Sequence, residues 1–396
     1  MKNSFKNLLR KIKPGEPGFV YALAGLVFVV GLSLIIFFGY QYFSHKNFGT
    51  AIINLDNQTT SSTPANCNYR RILDGVCVAM QTDINPKLVA VMIENHSEAR
   101  PQSGLVDASI VYEAPVEANY TRFLAIYPAD TTVNKIGPVR SARPYYLDWL
   151  GEYGTPMYMH VGGSPNALEI IKTRNIFDLN EFYRGWYYWR SEDRSAPHNT
   201  YTSSELWNKA LATYSDSYTD SEYEGWQFTQ PLNHSTTSPQ ENIQAGGSSK
   251  NDGSEVVRWS GGQVVSEITV SFLSPVYEAV WKYNTTTNQY ERFQMNKPHV
   301  DQDGRKIVAD NVIVQKVTAK VLDEIGRQEI TTVGKGELLV FKNNEVITGY
   351  WQKNDSSSRT KFFDNSGEEI KLTPGKIWVE VVSQMNSLSF RTNDSE

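Results

Sequence analysis

Four arginines lie close together along an acidic chain: Arg100, Arg122, Arg140 and Arg143. The guanidinium group is planar and donates paired hydrogen bonds, which suits it to carboxylate and phosphate groups in a water-poor setting. Two arrangements fit this pattern. Either the arginines line a polar cleft for an anionic or glycan ligand, or they satisfy neighbouring glutamates in an internal network of partly buried ion pairs.

Two nearby glutamates, Glu113 and Glu117, are candidates for a catalytic carboxylate pair. Carboxylates about 5–9 Å apart can hydrolyse a glycosidic bond. A spacing of four residues would place both on one face of a helix. Ala114-Pro115 lies between them, however, and proline disfavours a helix at that point.

Two histidines, His160 and His198, are candidates for acid–base chemistry near neutral pH. Ser164 follows two glycines but lacks the G-x-S-x-G spacing of a nucleophile turn, and it is explained as a helix N-cap. The chain contains neither H-E-x-x-H nor a Cys/His cluster, so no metal site and no cofactor are expected from motifs. Isolated histidines and acidic residues can still converge on a metal in three dimensions.

An aromatic tract occupies residues 177–189, and its rings are those of Phe177, Phe182, Tyr183, Trp186, Tyr187, Tyr188 and Trp189. Flat rings beside polar groups can pack against the faces of sugars. Such rings more often fill a core or cover a loop, so both roles remain open.

The elements that must position these residues are short. Strand patterns bounded by turn formers occur at Leu88–Glu94, Ala108–Glu113, Thr121–Tyr127 and Pro156–Val161. Ser164 followed by Pro165 predicts the start of one helix, and Thr202 with Glu205 forms a capping-box pattern before another. Residues 67–229 are therefore expected to form an α+β domain.

The last part of the chain has a different pattern. Residues 256–396 offer short alternating runs separated by turn formers, and these runs are ITVSFL, AVWKYN, NVIVQKV, ELLVFKN, VITGYWQK, TKFFD and IWVEVV. This pattern predicts a mainly β domain. Residues 230–255 are polar and rich in Ser, Thr, Asn and Gly, as expected of a linker or long surface loop.

The start of the chain predicts a membrane anchor. Residues 1–19 have a net charge of +4, residues 20–40 have none, and the whole chain has −5, so the remaining residues carry −9. Twenty-one uncharged residues can cross a hydrocarbon core of about 30 Å as a helix, and the basic stub predicts a cytoplasmic N-terminus. A cleaved signal peptide would have a shorter apolar run and a small-x-small cleavage site.

The anchor places the rest of the chain outside the cytoplasm. Residues 41–66 are polar and turn-rich, as in a stalk between membrane and domain. Cys67 and Cys77 bracket a short loop in a compartment that permits disulfides, so they either pair with each other or remain free thiols. The acidic balance argues against nucleic-acid binding.

Several long segments resemble the YerB-like family of bacterial envelope proteins, whose function is unknown. They include VMIENHSEARPQSG, DASIVYEAPVEANYTRFLAIY, KIGPVRSARP, MHVGGSP and APHNTY, and later ADNVIVQ, GKGELLVFKNNEVITGYWQK and LTPGKIWVEVV. The resemblance runs from about Leu88 to Phe390. It implies an α+β N-terminal domain, with a layered sheet-and-helix sandwich, joined to a smaller β-rich C-terminal domain.

The family's members are typically lipoproteins held by a modified cysteine near the N-terminus. This sequence has a hydrophobic segment there and no suitable cysteine, which implies the same topology with a different anchor. The polar positions that match the strongest segments imply a functional cleft, and they are Asn95, Arg100, Gln102, Glu113, Glu117, Arg122, Arg140, Ser141, Arg143, His160, Asp178, Arg190, His198 and Asn199.

Three functions follow as hypotheses. The first is a membrane-anchored envelope protein that binds a cell-wall glycan, an anionic polymer or another envelope protein through an Arg/Glu/His-lined cleft. The second is an enzyme that cleaves cell-wall glycan or peptide with Glu113 or Glu117 and His160 or His198. The third is an accessory scaffold without a small-molecule site.

Overall fold

Strands make up most of the computed structural model of this chain, which describes residues 67–117, 120–216, 222–229, 264–272, 274–384 and 387–392. In the first half the strands are β1 (Tyr69–Arg70), β2 (Cys77–Val78), β3 (Leu88–Glu94), β4 (Ile110–Pro115), β5 (Thr121–Pro128), β6 (Met157–His160), β7 (Asp178–Asn180), β8 (Trp189–Arg190) and β9 (Thr200–Tyr201).

In the second half the strands are β10 (Val265–Val270), β11 (Ala279–Asn284), β12 (Gln289–Gln294), β13 (Lys297–Pro298), β14 (Val308–Ala309), β15 (Asn311–Lys316), β16 (Ala319–Val321), β17 (Gln328–Ile330), β18 (Gly334–Lys342), β19 (Glu345–Lys353), β20 (Lys361–Asp364), β21 (Ile377–Val382) and β22 (Leu388–Thr392). The α-helices of the described residues are α1 (Pro144–Leu150), α2 (Pro165–Thr173), α3 (Glu181–Arg184) and α4 (Ser204–Thr213). The fold class is therefore α+β, with a large sheet and few helices, as predicted.

One large sheet runs through the molecule in the order β20-β19-β18-β15-β21-β4-β5-β3-β6-β7. Its centre is β21, which pairs in parallel with β15 on one side and with β4 on the other. β3 and β5 follow in antiparallel pairing, and β6 and β7 continue parallel to β3. The sheet therefore joins strands from residues 67–229 with strands from residues 256–396.

Both faces of the large sheet are buried, because alternate residues of its strands enter two different cores. In β3, Val89, Val91 and Ile93 pack with the core that also holds Trp207 of α4 and Trp281 of β11. The intervening residues of β3 pack with the core that includes side chains of α1 and α2. Continuous apolar runs such as LVAVMI are typical of strands covered on both faces.

A second sheet covers one face of the large sheet. Its strand order is β13-β12-β11-β10-β22, with β14 also paired to β12. The burial of β12 alternates between half-buried and buried positions, with Tyr290 and Arg292 among the buried ones. The second sheet therefore has one face toward the large sheet and one more open face.

The helix caps agree with prediction at α2 but not at α4. Ser164 Oγ accepts a hydrogen bond from the backbone N–H of Ala167, which confirms Ser164 as the N-cap of α2. The prediction of Thr202 as the cap of α4 is wrong by one residue. Ser203 Oγ accepts from the N–H of Leu206, whereas the Thr202 hydroxyl is buried and donates to the Tyr187 carbonyl.

The predicted strand runs of the last part are confirmed, since all of them contain described strands. The separation into two domains stays a prediction, because residues 230–255 lie outside the described residues. The described residues of both predicted domains belong to one compact unit, Ser62–Glu396, and share the large sheet.

Membrane anchoring by residues 20–40 is also outside what the structure describes. Within the described ranges, no helix has the length and apolarity needed to cross a membrane. The first described residue, Cys67, forms a disulfide with Cys77 that closes a loop beside β1 and β2. Of the two alternatives for these cysteines, the structure contains the paired form.

Candidate functional site

Glu113 is the centre of a buried polar network on β4. One carboxylate oxygen accepts hydrogen bonds from Asn95 Nδ2 at 2.9 Å and from Thr121 Oγ1 at 2.6 Å. The other accepts from Arg292 Nη2 at 2.6 Å, and the side chains of both Glu113 and Arg292 are fully buried. Glu113 is thus a closed ion-pair partner that does not face solvent.

The same network extends into the second sheet through Arg292 and His299. Burial lowers the pKa of His299 well below its usual range, and the charge of Arg292 lowers it further. The neutral ring then accepts from Arg292 at Nδ1 and donates from Nε2 to Gln102 Oε1, each across 2.8 Å. Burial and the charge of Glu113 raise the pKa of Glu380 well above its usual range, so Glu380 is the neutral carboxyl beside the Glu113–Arg292 pair.

Arg100 borders this buried network. It donates to Asn95 Oδ1 at 3.1 Å and to the Asn95 carbonyl at 2.8 Å, and it reaches the carbonyl of Val276. Burial, together with the charge of Arg292, lowers its pKa to about 10. Asn95, Arg100 and Gln102 therefore link β3 to the second sheet, and their contacts are structural.

Three other arginines form a separate group nearer the surface, which we call the arginine cluster: Arg122, Arg140 and Arg143, with Glu94 and Glu117. Arg143 Nε donates to Glu117 Oε2 at 2.8 Å, and its Nη2 contacts Oε1 of the same carboxylate. Arg122 Nη2 lies 3.4 Å from Glu117 Oε1, and Arg122 Nη1 donates to the Ser141 carbonyl at 2.7 Å. Ser141 therefore contributes its backbone to the cluster.

Charge within the arginine cluster is unbalanced, with three cations and two carboxylates. Burial would raise the pKa of Glu117, but the charges of Arg122 and Arg143 outweigh it and hold that pKa at about 2. Burial, followed by the charge of Arg122, lowers the pKa of both Arg140 and Arg143.

Two donor atoms of the arginine cluster lack a hydrogen-bond partner. The Nε atoms of Arg122 and Arg140 are buried without a hydrogen-bond partner. Arg140 Nε does lie 3.0 Å from Glu94 Oε1, which is close enough for an ion pair but is not aligned as a hydrogen bond.

His198 lies next to the arginine cluster and shares Glu94 with it. Its Nδ1 is 2.8 Å from Glu94 Oε2, and its Nε2 is 3.2 Å from Glu98 Oε2. The ring of His96 stacks on His198 with a centroid separation of 4.7 Å and an interplanar angle of 16°. His96, Glu98 and His198 place their ligand atoms within 4.8 Å of one another.

His160 lies elsewhere and is fully buried. Its Nδ1 is 2.7 Å from the Gly162 carbonyl and its Nε2 is 3.1 Å from Asp178 Oδ2, so both ring nitrogens are engaged. Arg190 and Asn199 form a further exposed contact at 3.1 Å, and Arg190 also binds Glu181.

The predicted site residues are thus divided among several places. The structure brings Arg122, Arg140, Arg143, Glu117 and His198 into neighbouring surface clusters, but it buries Glu113 and His160 in closed pairs. The proposed glycosidase pair of Glu113 and Glu117 is disfavoured by this placement, because Glu113 faces the second sheet and Glu117 is held by arginines.

The aromatic tract divides into buried and exposed rings. Tyr187 and Tyr188 are buried, whereas the exposed fractions of Phe182, Tyr183, Trp186 and Trp189 are 68%, 77%, 59% and 36%. We call these four exposed rings the aromatic patch. Other large apolar side chains of the described residues are also exposed, among them Ile325 at 64%, but these four rings lie within eight positions of one another along the chain.

The aromatic patch adjoins the arginine cluster through paired backbone segments. The N–H of Val161 donates to the Arg140 carbonyl, and the N–H of Ala142 donates to the Gly162 carbonyl, each at 3.0 Å. Gly162 has a φ of +59°, and a Cβ there would lie 2.6 Å from the Phe182 ring. Glycine therefore allows Phe182 to lie against Gly162, whose backbone is paired with the segment that carries Arg140 and Arg143.

His96, Arg292 and Glu380 are important residues that the sequence patterns did not single out, whereas Glu94 was among the glutamates expected near the arginines. Two of the three carried a usable signal, because each is a charged residue within a strand: Arg292 in QYERFQ and Glu380 in IWVEVV. A charge in such a strand requires a buried partner.

Two cavities of the described part are lined by residues outside these clusters. One of about 570 Å³ is lined by residues that include Glu152, Tyr223 and Arg359. Another, of about 350 Å³, is lined by residues that include Asp107, Asp301 and Arg305. Neither of these two cavities is formed by residues of the arginine cluster or the aromatic patch.

Known proteins share this fold and much of this sequence. Residues 75–218 match the family described as protein of unknown function (DUF3048) N-terminal domain, and residues 268–379 match its C-terminal domain. YerB of Bacillus subtilis (strain 168), whose name describes it as a lipoprotein, is 28% identical over 304 residues, which are 76% of this chain and 82% of YerB.

A crystal structure of YerB from Bacillus subtilis superimposes with a TM-score of 0.66 at 25% identity, covering 81% of this chain and 99% of that one. The two family matches cover the segments that supply both ends of the large sheet. The chain therefore belongs to the DUF3048 family of YerB-like proteins.

Proposed function

We propose that this protein is a membrane-anchored, extracytoplasmic member of its family that binds an anionic cell-wall glycan. The observation that supports the proposal is that the backbone of the segment carrying Arg140 and Arg143 pairs with the backbone at Gly162, against which the exposed Phe182 ring lies. Exposed flat rings suit the faces of sugars, and arginines suit carboxylate or phosphate groups attached to them. A glycan bearing acidic groups satisfies both surfaces at once.

The surplus of cations supports the anionic part of the ligand. The arginine cluster has two carboxylates for three arginines. The side chain of Arg140 is 21% exposed, so an acidic group can approach it.

The location of the protein rests on its sequence and its relatives. Residues 20–40 have the length and composition of a single membrane-spanning helix, preceded by a basic stub. The name of YerB describes that relative as a lipoprotein, which supports membrane anchoring in the family. The disulfide between Cys67 and Cys77 suits an oxidising, extracytoplasmic compartment.

Cosedimentation tests the binding proposal. Full-length protein in detergent is mixed with insoluble peptidoglycan, either intact or stripped of its attached anionic polymer. We expect the protein to sediment with the intact wall. Arg140→Gln should reduce the affinity by about tenfold or more, because a hydrogen bond to a charged group contributes about 1.5–3 kcal/mol.

The two surfaces should respond differently in that assay. Trp186→Ala should weaken binding to both wall preparations, whereas Arg140→Gln should matter only for the wall that retains its anionic polymer. Arg391→Gln is the matched charge control, since that side chain is 75% exposed on β22. Ile325→Ala is the apolar control, at an exposed residue in the second half of the chain. Absence of sedimentation, or equal effects of Arg140→Gln and Arg391→Gln, contradicts the proposal.

An enzymatic function has less support from the geometry. A general acid must hold a proton near the working pH, and a pKa of about 2 leaves Glu117 ionised there. Glu113 and His160 are enclosed in the core. Release of soluble fragments in the same assay would revive the enzyme hypothesis, with His198 as the first residue to substitute.

A further inference from the structure

We propose that His96, Glu98 and His198 form a binding site for a divalent transition metal, with zinc as the best-matched ion. The three residues come from two distant parts of the chain. His96 is the N-cap of the short 3-10 turn Ser97–Ala99, which contains Glu98, and His198 lies in the loop between β8 and β9. Their ligand atoms lie within 4.8 Å of one another. This site goes beyond glycan binding and does not depend on it.

The position of His198 between two carboxylates is the main argument. Its Nδ1 lies 2.8 Å from Glu94 Oε2 and its Nε2 lies 3.2 Å from Glu98 Oε2. Glu94 is buried, so its oxygen requires a donor and holds the Nδ1–H tautomer. In the neutral ring with its proton on Nδ1, the Nε2 lone pair faces the Glu98 oxygen, and a cation between the two atoms would bind both.

The arrangement of Glu94 is that of a carboxylate that orients a metal-binding histidine. Histidine ligands usually donate their other ring N–H to a carboxylate or carbonyl, which fixes the ring and makes the ligand nitrogen more basic. Glu94 itself is held by Arg140 at 3.0 Å. Glu94 therefore fixes the orientation of the His198 ring, and Nε2 points toward Glu98.

Distances and donor types fit zinc. With bonds of about 2.0–2.2 Å, two ligands of a tetrahedral zinc lie about 3.3 Å apart. The His198 Nε2 to Glu98 Oε2 distance of 3.2 Å matches this value. Two imidazole nitrogens and one carboxylate oxygen form a typical zinc ligand set, and a fourth position remains for water or another molecule.

His96 must turn for coordination. Its ring is stacked on His198, so their nitrogens do not point at one atom. Its Nδ1 accepts the backbone N–H of Glu98 at 3.2 Å, which is a long contact. The Glu98 side chain is 70% exposed and free to follow. Metal binding therefore breaks the stack of His96 on His198. In return, His96 and Glu98 each form a bond to the metal at the surface.

Isothermal titration of the full-length chain with zinc chloride tests the site. We expect one zinc ion per chain at these residues. Glu98→Gln should weaken the affinity at least tenfold without changing the melting temperature of the metal-free protein, because the side chain is exposed. Glu192→Gln is the matched control, since it removes an exposed carboxylate from the neighbouring loop.

The double substitution His96→Ala with His198→Ala should abolish binding at this site. His45 and His234 lie outside the described residues and are alternative ligands. Zinc binding that survives the double substitution with unchanged affinity places the metal elsewhere and overturns the proposal. A titration without saturable zinc binding, or equal affinities for Glu98→Gln and Glu192→Gln, overturns it as well.

Discussion

The Glu113–Arg292 network and the arginine cluster use the same residue types for opposite purposes. In the first, the side chains of Glu113, Arg292 and Glu380 are fully buried, and each charge has a partner within the network. In the second, the arginines outnumber their carboxylates and Arg140 and Glu117 are each 21% exposed. Fully buried groups that pair with one another indicate a structural role. Arginines that outnumber their carboxylates near a surface indicate capacity to bind a ligand.

Arg292→Met should produce the largest effect, because it removes the cation from the closed network. Glu113 would keep its charge in the core without its partner, which typically costs about 3–5 kcal/mol. Urea unfolding of the variant measures the free energy of unfolding. Arg391→Gln provides the exposed comparison and should change it by less than about 0.5 kcal/mol. Similar values for the two variants would remove the distinction between the regions.

Glu117→Gln should produce the next largest loss of stability, which is present at neutral pH and disappears in acid. The folded-state pKa of about 2 lies below the ordinary 4.5, so ionised Glu117 stabilises the fold above pH 4.5 and loses this contribution as the pH falls toward 2. The contribution is about 2–3 kcal/mol. The stability difference between the parent chain and the variant, followed from pH 6 to pH 2.5, should shrink across that window. A constant difference would contradict the ion-pair explanation.

Glu380→Gln should change stability at pH 7 by less than about 1 kcal/mol, because an amide replaces a carboxyl that is already neutral. The pKa of Glu380 is shifted upward, which is the opposite direction to the shift of Glu117. The parent chain should lose stability as the pH rises above about 4.5, and the variant should lack this component. Unfolding curves at pH 5 and pH 8 provide the comparison. A large loss on substitution would show that Glu380 is ionised in the folded protein.

Arg140→Gln should have the smallest effect on stability, roughly 0–1 kcal/mol, as is usual for partly exposed ion pairs. Glu94 keeps its contact with His198 in this variant. The same substitution is expected to weaken glycan binding about tenfold. Melting temperature and cosedimentation, measured on one preparation, show whether binding and stability separate at this residue. A variant that melts much earlier would place Arg140 with the closed network.

Local patterns predicted the elements well. The apolar run Leu88–Glu94 is a strand with the predicted bounds, and Ser164 caps the helix that begins at Pro165. Both depend on neighbouring residues only, through burial on both faces of a strand and through one cap hydrogen bond. The α+β class followed from the same signals.

Long-range pairings could not be predicted in this way. Glu113 and Arg292 are 179 residues apart, and their ion pair depends on how the second sheet lies on β4. Residue type drew attention to four arginines, of which Arg122, Arg140 and Arg143 lie together, whereas Arg100 belongs to the buried network. Position along the chain did not distinguish the two, because Arg100 follows β3 and reaches the Val276 carbonyl, whereas Arg122 on β5 reaches the Ser141 carbonyl.

The position of β21 has a consequence for how the protein matures. Residues Ile377–Val382 lie between β4 and β15, so the centre of the large sheet stays open until nearly the whole chain has been synthesised. Until then β4 presents an unpaired, apolar edge that invites association with other chains. A truncated product that ends at the linker would carry that edge permanently. Adding the missing second half as a separate polypeptide is therefore the natural rescue, through reconstitution of one sheet from two fragments.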